Sequence, residues 1–228
     1  MKLNRRSLLT VFDSLLTAYG RQHWWPGETP FEIMVGAILT QNTAWTNVEK
    51  AIANLVARDK LLPEAIIAAR KDHLANWLRP SGYFNVKAER LKNFCRWYVE
   101  AGGFDALSKL DTATLRDALL SVNGVGPETA DDILLYAFGR AVFVIDAYTR
   151  RLFSRLGQVP AEVAYEDLRL AFEDKLGPDV GLYNEFHALI VVHAKTVCRV
   201  RPRCGDCLLR ENCPAGRGSN DCPRDLSR

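Results

Sequence analysis

The chain has 228 residues, enough for one large domain or two small ones, and its 48% hydrophobic content is enough to build a core. A net charge of +3, from 30 basic and 27 acidic side chains, is too weak to establish a nucleic-acid partner. No apolar run reaches the roughly 20 residues that span a bilayer, which excludes a membrane helix.

The opening segment MKLNRRSLLTVFDSLLTAYG repeats its apolar residues with helical period, and Asp13 interrupts them. That pattern predicts an amphipathic helix and not a secretion signal, so a soluble, reducing, cytoplasmic setting is expected. Phe31–Leu39 is apolar on most sides and predicts a central buried helix. Trp45, Val48, Ile52, Leu55 and Val56 fall on one helical face, as do Ala130, Ile133, Leu134 and Ala137. Gly- and Pro-bearing breaks recur at Pro26-Gly27, Arg79–Gly82, Gly102-Gly103, Asn123–Pro127, Gly157–Pro160 and Gly177-Pro178. They divide the chain into about ten helices. Ala141–Asp146 is the best strand candidate, but it is short and isolated. The fold class expected is therefore all-α. The tail after Cys213 is rich in Gly, Ser and Asp and is expected to fray.

Two segments carry chemistry. In LLSVNGVGPETADDILLYAFG a helix ends near Ser121, and Asn123-Gly124-Val125-Gly126 makes a tight turn. A second helix then opens with Pro127 at its first position, where a missing N–H is harmless. Two glycines there expose successive amides, an arrangement suited to a phosphate, although an ordinary helix–turn–helix linker looks the same. Asp146 follows in FVIDAYTRRLFSRLG. An acid at that place is either an N-cap or a functional carboxylate.

The other segment holds Cys198, Cys204, Cys207 and Cys213 in HAKTVCRVRPRCGDCLLRENCP. Four thiolates at this spacing suit a 4Fe–4S cluster first. Zinc comes second, because only one C-x2-C pair is present, and disulfides come last. Arg199, Arg201 and Arg203 lie between the first two cysteines, in a loop that either contacts nucleic acid or is simply solvated. Cys95 and Cys222 fall outside the spacing and are expected to be free thiols, and His187 and His193 to pack or cap.

Together GAILTQNT (Gly36–Thr43), GYFNVKA (Gly82–Ala88), the NGVG turn, Asp146 and the four cysteines resemble the endonuclease III-like helix–hairpin–helix DNA glycosylases over nearly the whole chain. The spacing of the first two cysteines is one residue shorter than the usual pattern of that family, which implies a shortened loop. The resemblance implies a six-helix domain at 24–138 carrying the hairpin. A second helical domain would be built from 1–23 and 139–228 and carry the iron–sulfur loop, with double-stranded DNA in the cleft between the two. It also implies a monomer without membrane contact, working in the cytoplasm and, in a bacterium, on the nucleoid. Asn123, Gly124, Val125, Gly126 and Thr129 would hold the DNA backbone, and Gln41 and Tyr83 would fill the gap left by a flipped nucleotide. Asp146 would stabilise positive charge on the sugar.

Bifunctional members carry a lysine where this chain has Glu128, and a carboxylate cannot form an imine. Trp24, Trp25 and Trp45 match the pocket of the branch that removes alkylated purines such as 3-methyladenine, and Lys195 matches a basic residue at that pocket's edge. A monofunctional alkylpurine glycosylase is thus the leading expectation. A bifunctional enzyme for oxidised pyrimidines is the alternative, and a non-catalytic DNA-binding iron–sulfur protein is a third reading.

Overall fold

The computed structural model describes residues 1–217, so Cys222 and most of the expected tail lie outside the described residues, while the start of that tail, Pro214–Arg217, is helical instead of frayed. Among the described residues there is no strand, and helix is the predominant structure. It divides into two compact units: Met1–Trp24 with the chain from Ala141 onward, and Trp25–Arg140.

The first unit begins with α1 (Arg5–Tyr19). Asn4 caps it, accepting from the Ser7 amide in a reciprocal capping box, and Gly20 ends it at φ +69°. The second unit holds α2 (Pro30–Leu39), α3 (Trp45–Val56), α4 (Pro63–Ala68), α5 (Lys71–Trp77), α6 (Phe84–Glu100), α7 (Gly103–Leu107), α8 (Thr112–Leu120) and α9 (Pro127–Asp132). The chain then returns to the first unit as α10 (Ala147–Arg155), α11 (Tyr165–Leu176), α12 (Val180–Thr196) and α13 (Pro214–Arg217). The thirteen helices described exceed the ten expected because 63–77 breaks into two short pieces and Gly103–Leu107 forms a further turn.

Helix α2 is the central buried helix of its unit. Pro30 opens it, the Thr29 hydroxyl caps it, and Met34, Val35, Ile38 and Leu39 are fully buried. Each such side chain contributes about 1.5–3 kcal/mol relative to exposure. In the first unit Phe143, Phe153, Phe172 and Phe186 form an aromatic core in which Phe153 meets Phe172 and Phe186 edge to face and Phe143 tilts against Phe172 with centroids 4.6 Å apart.

Three local expectations change. Ala141–Asp146 is extended but pairs with no strand. The Phe143 amide donates to Glu173 Oε1 at 2.9 Å instead, and the Ile145 amide to the Tyr165 hydroxyl at 3.4 Å. Its apolar side chains are buried, and that burial produced the strand-like pattern. Val56, expected on the apolar face of α3, is exposed because it is the last residue of the helix. Finally, α9 does not continue as α-helix: Ile133–Ala137 form a π turn, which adds a residue to the turn and displaces everything beyond it from the 3.6-residue period.

Candidate active site and nucleic-acid interface

In the second unit the hairpin joins α8 to α9. Arg116 on α8 forks onto Asp131 on α9, with Nε to Oδ1 at 2.6 Å and Nη2 to Oδ2 at 3.2 Å, and the Asp131 side chain is 0% exposed. This charged clamp fixes the angle at which the turn between them is presented. Asn123 is exposed in that turn, and the Val125 amide donates to the Val122 carbonyl at 3.0 Å.

The two glycines are not equivalent. Gly124 sits at φ +99°, and a Cβ there would lie 2.3 Å from Cγ of Arg90. Gly126 has φ −96°, and nothing lies within 4 Å of where its Cβ would be. The turn therefore requires glycine at 124 only, which corrects the expectation that both glycines serve the turn. The open space at 126 leaves the backbone approachable. Glu128 is exposed in the first turn of α9.

Gln41 follows α2 and is tied to the hairpin. Its Nε2 donates to the Gly124 carbonyl at 3.1 Å and to the Thr129 hydroxyl at 3.0 Å, while its Oε1 accepts from the Arg90 guanidinium. Tyr83 caps α6 from a left-handed backbone at φ +44° and is 72% exposed. A non-glycine residue in that region is uncommon, and an exposed aromatic in it more so.

Trp25 and Trp45 come together. Their rings cross edge to face with centroids 5.0 Å apart, and Tyr136 tilts against Trp25 at 4.9 Å. Gly36 of α2 forms the floor: a Cβ there would lie 3.2 Å from both indoles. Trp24, expected with them, is in the first unit. There the Lys195 ammonium lies 5.7 Å from the Trp24 ring centroid and 5.9 Å from that of Tyr148. Desolvation draws the pKa of Lys195 below the ordinary lysine value, opposed by the charge of Asp146. Tyr148, Arg151, Lys195, Arg199 and Arg201 line an open cleft of about 630 Å³.

Asp146 is the N-cap of α10: Oδ1 accepts from the Thr149 amide at 2.7 Å. Its other oxygen, Oδ2, lies 3.5 Å from His187 Nε2 on α12. Burial opposes its charge, but His187 and Thr149 outweigh burial, and its pKa falls below the usual carboxylate value. Capping and function are thus both open to this carboxylate, since only one oxygen is taken by the cap. His187, expected to pack or cap, instead faces Asp146.

Cys198, Cys204, Cys207 and Cys213 form no disulfide among the described residues and line one cavity with Leu152, Arg155 and Leu209. Arg155, near the C-terminal end of α10, donates to Cys198 Sγ at 3.4 Å and to the carbonyls of Arg199 and Val200 at 2.6 and 3.1 Å. Tyr19 and Cys207 lie on either side of His193, 2.9 Å from Nδ1 and 3.6 Å from Nε2 respectively. Among the described residues no group of three or more His, Cys, Asp or Glu side chains is placed to hold a single metal ion. Burial, with the neighbouring thiols, raises the pKa of Cys207 and Cys213. Cys95, outside this group, is buried on α6, and burial pushes its thiol up to about 12.

Residues 35–178 match the pattern of the HhH-GPD superfamily, described as base excision DNA repair proteins. The chain belongs to that superfamily. It is similar to a Methanocaldococcus jannaschii protein assigned to the DNA repair glycosylases, with 48% identity over 93% of this chain and 99% of that one. It is also similar to endonuclease III of Sulfolobus acidocaldarius, with 30% identity over 80% of this chain and 81% of that one. Among solved structures it resembles the Helicobacter pylori 3-methyladenine DNA glycosylase bound to 1,N6-ethenoadenine. That likeness has a TM-score of 0.72 and 30% identity, and covers 85% of this chain and 98% of that one. A non-covalent endonuclease III–DNA complex shares the fold, with a TM-score of 0.82 at 21% identity over 94% and 97%.

This HhH-GPD protein is accordingly a DNA glycosylase of base excision repair, and its all-α architecture is that of the superfamily. Among the described residues no helix is long and apolar enough to cross a membrane. Several participants were hidden in the sequence. Tyr136 is concealed by the π turn, and Gly36 by its place inside a helix. Arg90 looks like a surface residue of an amphipathic helix. The one signal available for Gly36 was its position inside the short motif at 36–43.

Proposed function

We propose that this glycosylase hydrolyses the N-glycosidic bond of alkylated, 3-methyladenine-like purines in double-stranded DNA and leaves the abasic site intact. The observation that carries the reading is Glu128, an exposed carboxylate two residues beyond Gly126, where lyase chemistry needs an amine. The aromatic group Trp25, Trp45 and Tyr136 supports it, as do Trp24 and Tyr148 around Lys195, since electron-rich rings favour a cationic base. The relative from H. pylori, a 3-methyladenine glycosylase, points the same way.

An alkylated purine already carries positive charge. When its bond to C1′ breaks, the bonding pair moves onto the base and neutralises it, and positive charge develops on the sugar. The Asp146 carboxylate, ionised in its capped position, stabilises that charge. Water adds to C1′ and gives up a proton to Asp146 or to solvent. Gln41, Tyr83, Asn123, Gly124, Val125, Gly126 and Thr129 would engage the duplex, with the amides around Gly126 against a phosphate.

Cys198, Cys204, Cys207 and Cys213 would hold a 4Fe–4S cluster. The donor set fits: four soft thiols share one cavity and repel one another as thiolates, a charge that bound iron would relieve. A cube carries its ligands at four corners, farther apart than the ligands of one ion, which is compatible with the lack of a single-ion site. The cluster would supply a rigid cross-link that orders the loop from Arg199 to Arg203. Iron analysis finding one zinc and no iron would overturn this assignment.

Endonuclease III activity on oxidised pyrimidines is the second reading, and Lys195, whose ammonium feels Asp146, is the amine that favours it. Duplexes carrying one alkylated purine or one thymine glycol, analysed with and without alkali, separate the two. The expected result is release of alkylated base, strand breaks only after alkali, little borohydride-trapped adduct, and a loss of several orders of magnitude in Asp146→Asn. Efficient borohydride trapping on thymine glycol would refute the first reading.

A further inference from the structure

Lys87 is the one lysine of α6 whose side chain is wholly buried, at 1% exposure. A buried ammonium is costly unless its protons are used. Here Nζ donates to the Leu39 carbonyl at 2.8 Å and to the Ser81 carbonyl at 2.6 Å. Leu39 ends α2, where carbonyls lack helical partners, and Gln41 stands two residues beyond it. Ser81 ends the turn before Gly82 and Tyr83, so Tyr83 too stands two residues beyond its anchor. The backbone amide of Lys87 donates in addition to the Tyr83 carbonyl at 3.0 Å, closing the first turn of α6 behind the left-handed Tyr83.

Arg90 lies three residues on, on the same helical face. Its guanidinium holds the Gln41 side chain, and its aliphatic stem lies against Gly124. Burial and the charge of Arg90 lower the pKa of Lys87 to about 8, which leaves it protonated at neutral pH with donors for both carbonyls.

We propose that Lys87 is a positioning residue that locks the loops carrying Gln41 and Tyr83 to the start of α6, so that the two side chains enter the duplex as one rigid wedge. The proposal rests on the reading above that Gln41 and Tyr83 fill the gap left by the flipped nucleotide. An apolar side chain at 87 fills the space but leaves the two carbonyls without a donor. The loops then move independently, and strand opening suffers while the hairpin, held by Arg116 and Asp131, still binds backbone.

The test uses the full-length protein and a duplex with a tetrahydrofuran abasic analogue opposite 2-aminopurine, whose fluorescence rises when the base is unstacked. Lys87→Met should bind an undamaged duplex as the wild type does, yet lose about tenfold in the fluorescence response, the scale of losing a charge-assisted hydrogen bond. An unchanged response would overturn the proposal, as would equal losses in response and in duplex affinity, the mark of general damage.

If Lys87→Met does not fold, Gln41→Ala, Tyr83→Ala and their combination decide. One rigid wedge predicts that either single variant loses nearly as much as the pair, whereas independent multiplying losses would overturn it. If both single variants respond fully, the insertion reading itself falls and takes the proposal with it. If they lose the response while Lys87→Met, folded, keeps it, the proposal is overturned and the insertion reading stands.

Discussion

Replacing either hairpin glycine with alanine should have opposite consequences at 124 and 126. At Gly124 the backbone lies at φ +99°, where an L-residue loses about 1–2 kcal/mol for occupying a left-handed conformation. The new Cβ would meet Arg90 Cγ at 2.3 Å and its Cβ and Cδ at 2.9 Å. The contact with Arg90 Cβ cannot be relieved by a rotamer change, because that atom is fixed to the α6 backbone. Overpacking of this kind costs about 1–3 kcal/mol. The lower entropy of the unfolded alanine chain returns about 0.4–1 kcal/mol, so the net loss is about 1–4.6 kcal/mol. At Gly126 neither penalty applies, and the same entropy term makes alanine neutral or stabilising by up to about 1 kcal/mol. Urea unfolding followed by circular dichroism measures both. Electrophoretic binding to undamaged duplex should show Gly126→Ala weakened despite full stability, because its methyl group projects where a phosphate would approach. Equal destabilisation by the two variants, or a Gly124→Ala protein within about 0.5 kcal/mol of wild type, would refute the assignment of turn and contact roles.

Asp131→Ala leaves the Arg116 guanidinium largely buried without its fork, and should cost about 3–5 kcal/mol in thermal or urea unfolding. Trp45→Ala removes one partner of the aromatic group and should weaken lesion engagement by about 1–3 kcal/mol in single-turnover assays, leaving affinity for undamaged duplex near wild type. Asp146 has a folded pKa below its unfolded value of about 3.9. Its contribution to stability is therefore complete above that unfolded value and lost as pH falls through the folded one. Base release from alkylated duplex should accordingly stay flat on the acid side down to about pH 4.5; an acid limb with a midpoint near 6 would show that the carboxylate is not ionised as described.

Much of the site was legible because its elements are signalled locally. Pro127 after the turn, Asp146 before a basic amphipathic stretch and the four-cysteine spacing each specify an element boundary, and those boundaries place the residues. Long-range partnerships were not legible. Trp24 and Trp25 are neighbours in sequence but belong to different units, so an aromatic triplet expected from three tryptophans becomes Trp25, Trp45 and Tyr136 on one side, with Trp24 beside Lys195 and Tyr148 on the other. His187 looks like a packing residue because α12 is apolar around it, and only the fold brings it to Asp146. Lys87 defeats periodicity in the other direction, as a charge on the buried face of α6 whose use depends on one carbonyl just before the helix and another, that of Leu39, far away in sequence.

The π turn at Ile133–Ala137 makes this segment unusually sensitive to length. A helix that returned to the ordinary repeat would need one residue fewer, and each residue of α-helix turns the chain by about 100°. Excising one apolar residue, such as Leu135, would relieve the irregular turn yet swing Tyr136 off Trp25. A single-residue deletion that makes the backbone more regular should therefore injure this protein more than most substitutions in the same helix, since the irregular turn sets the phase between the hairpin and the aromatic group that Tyr136 completes.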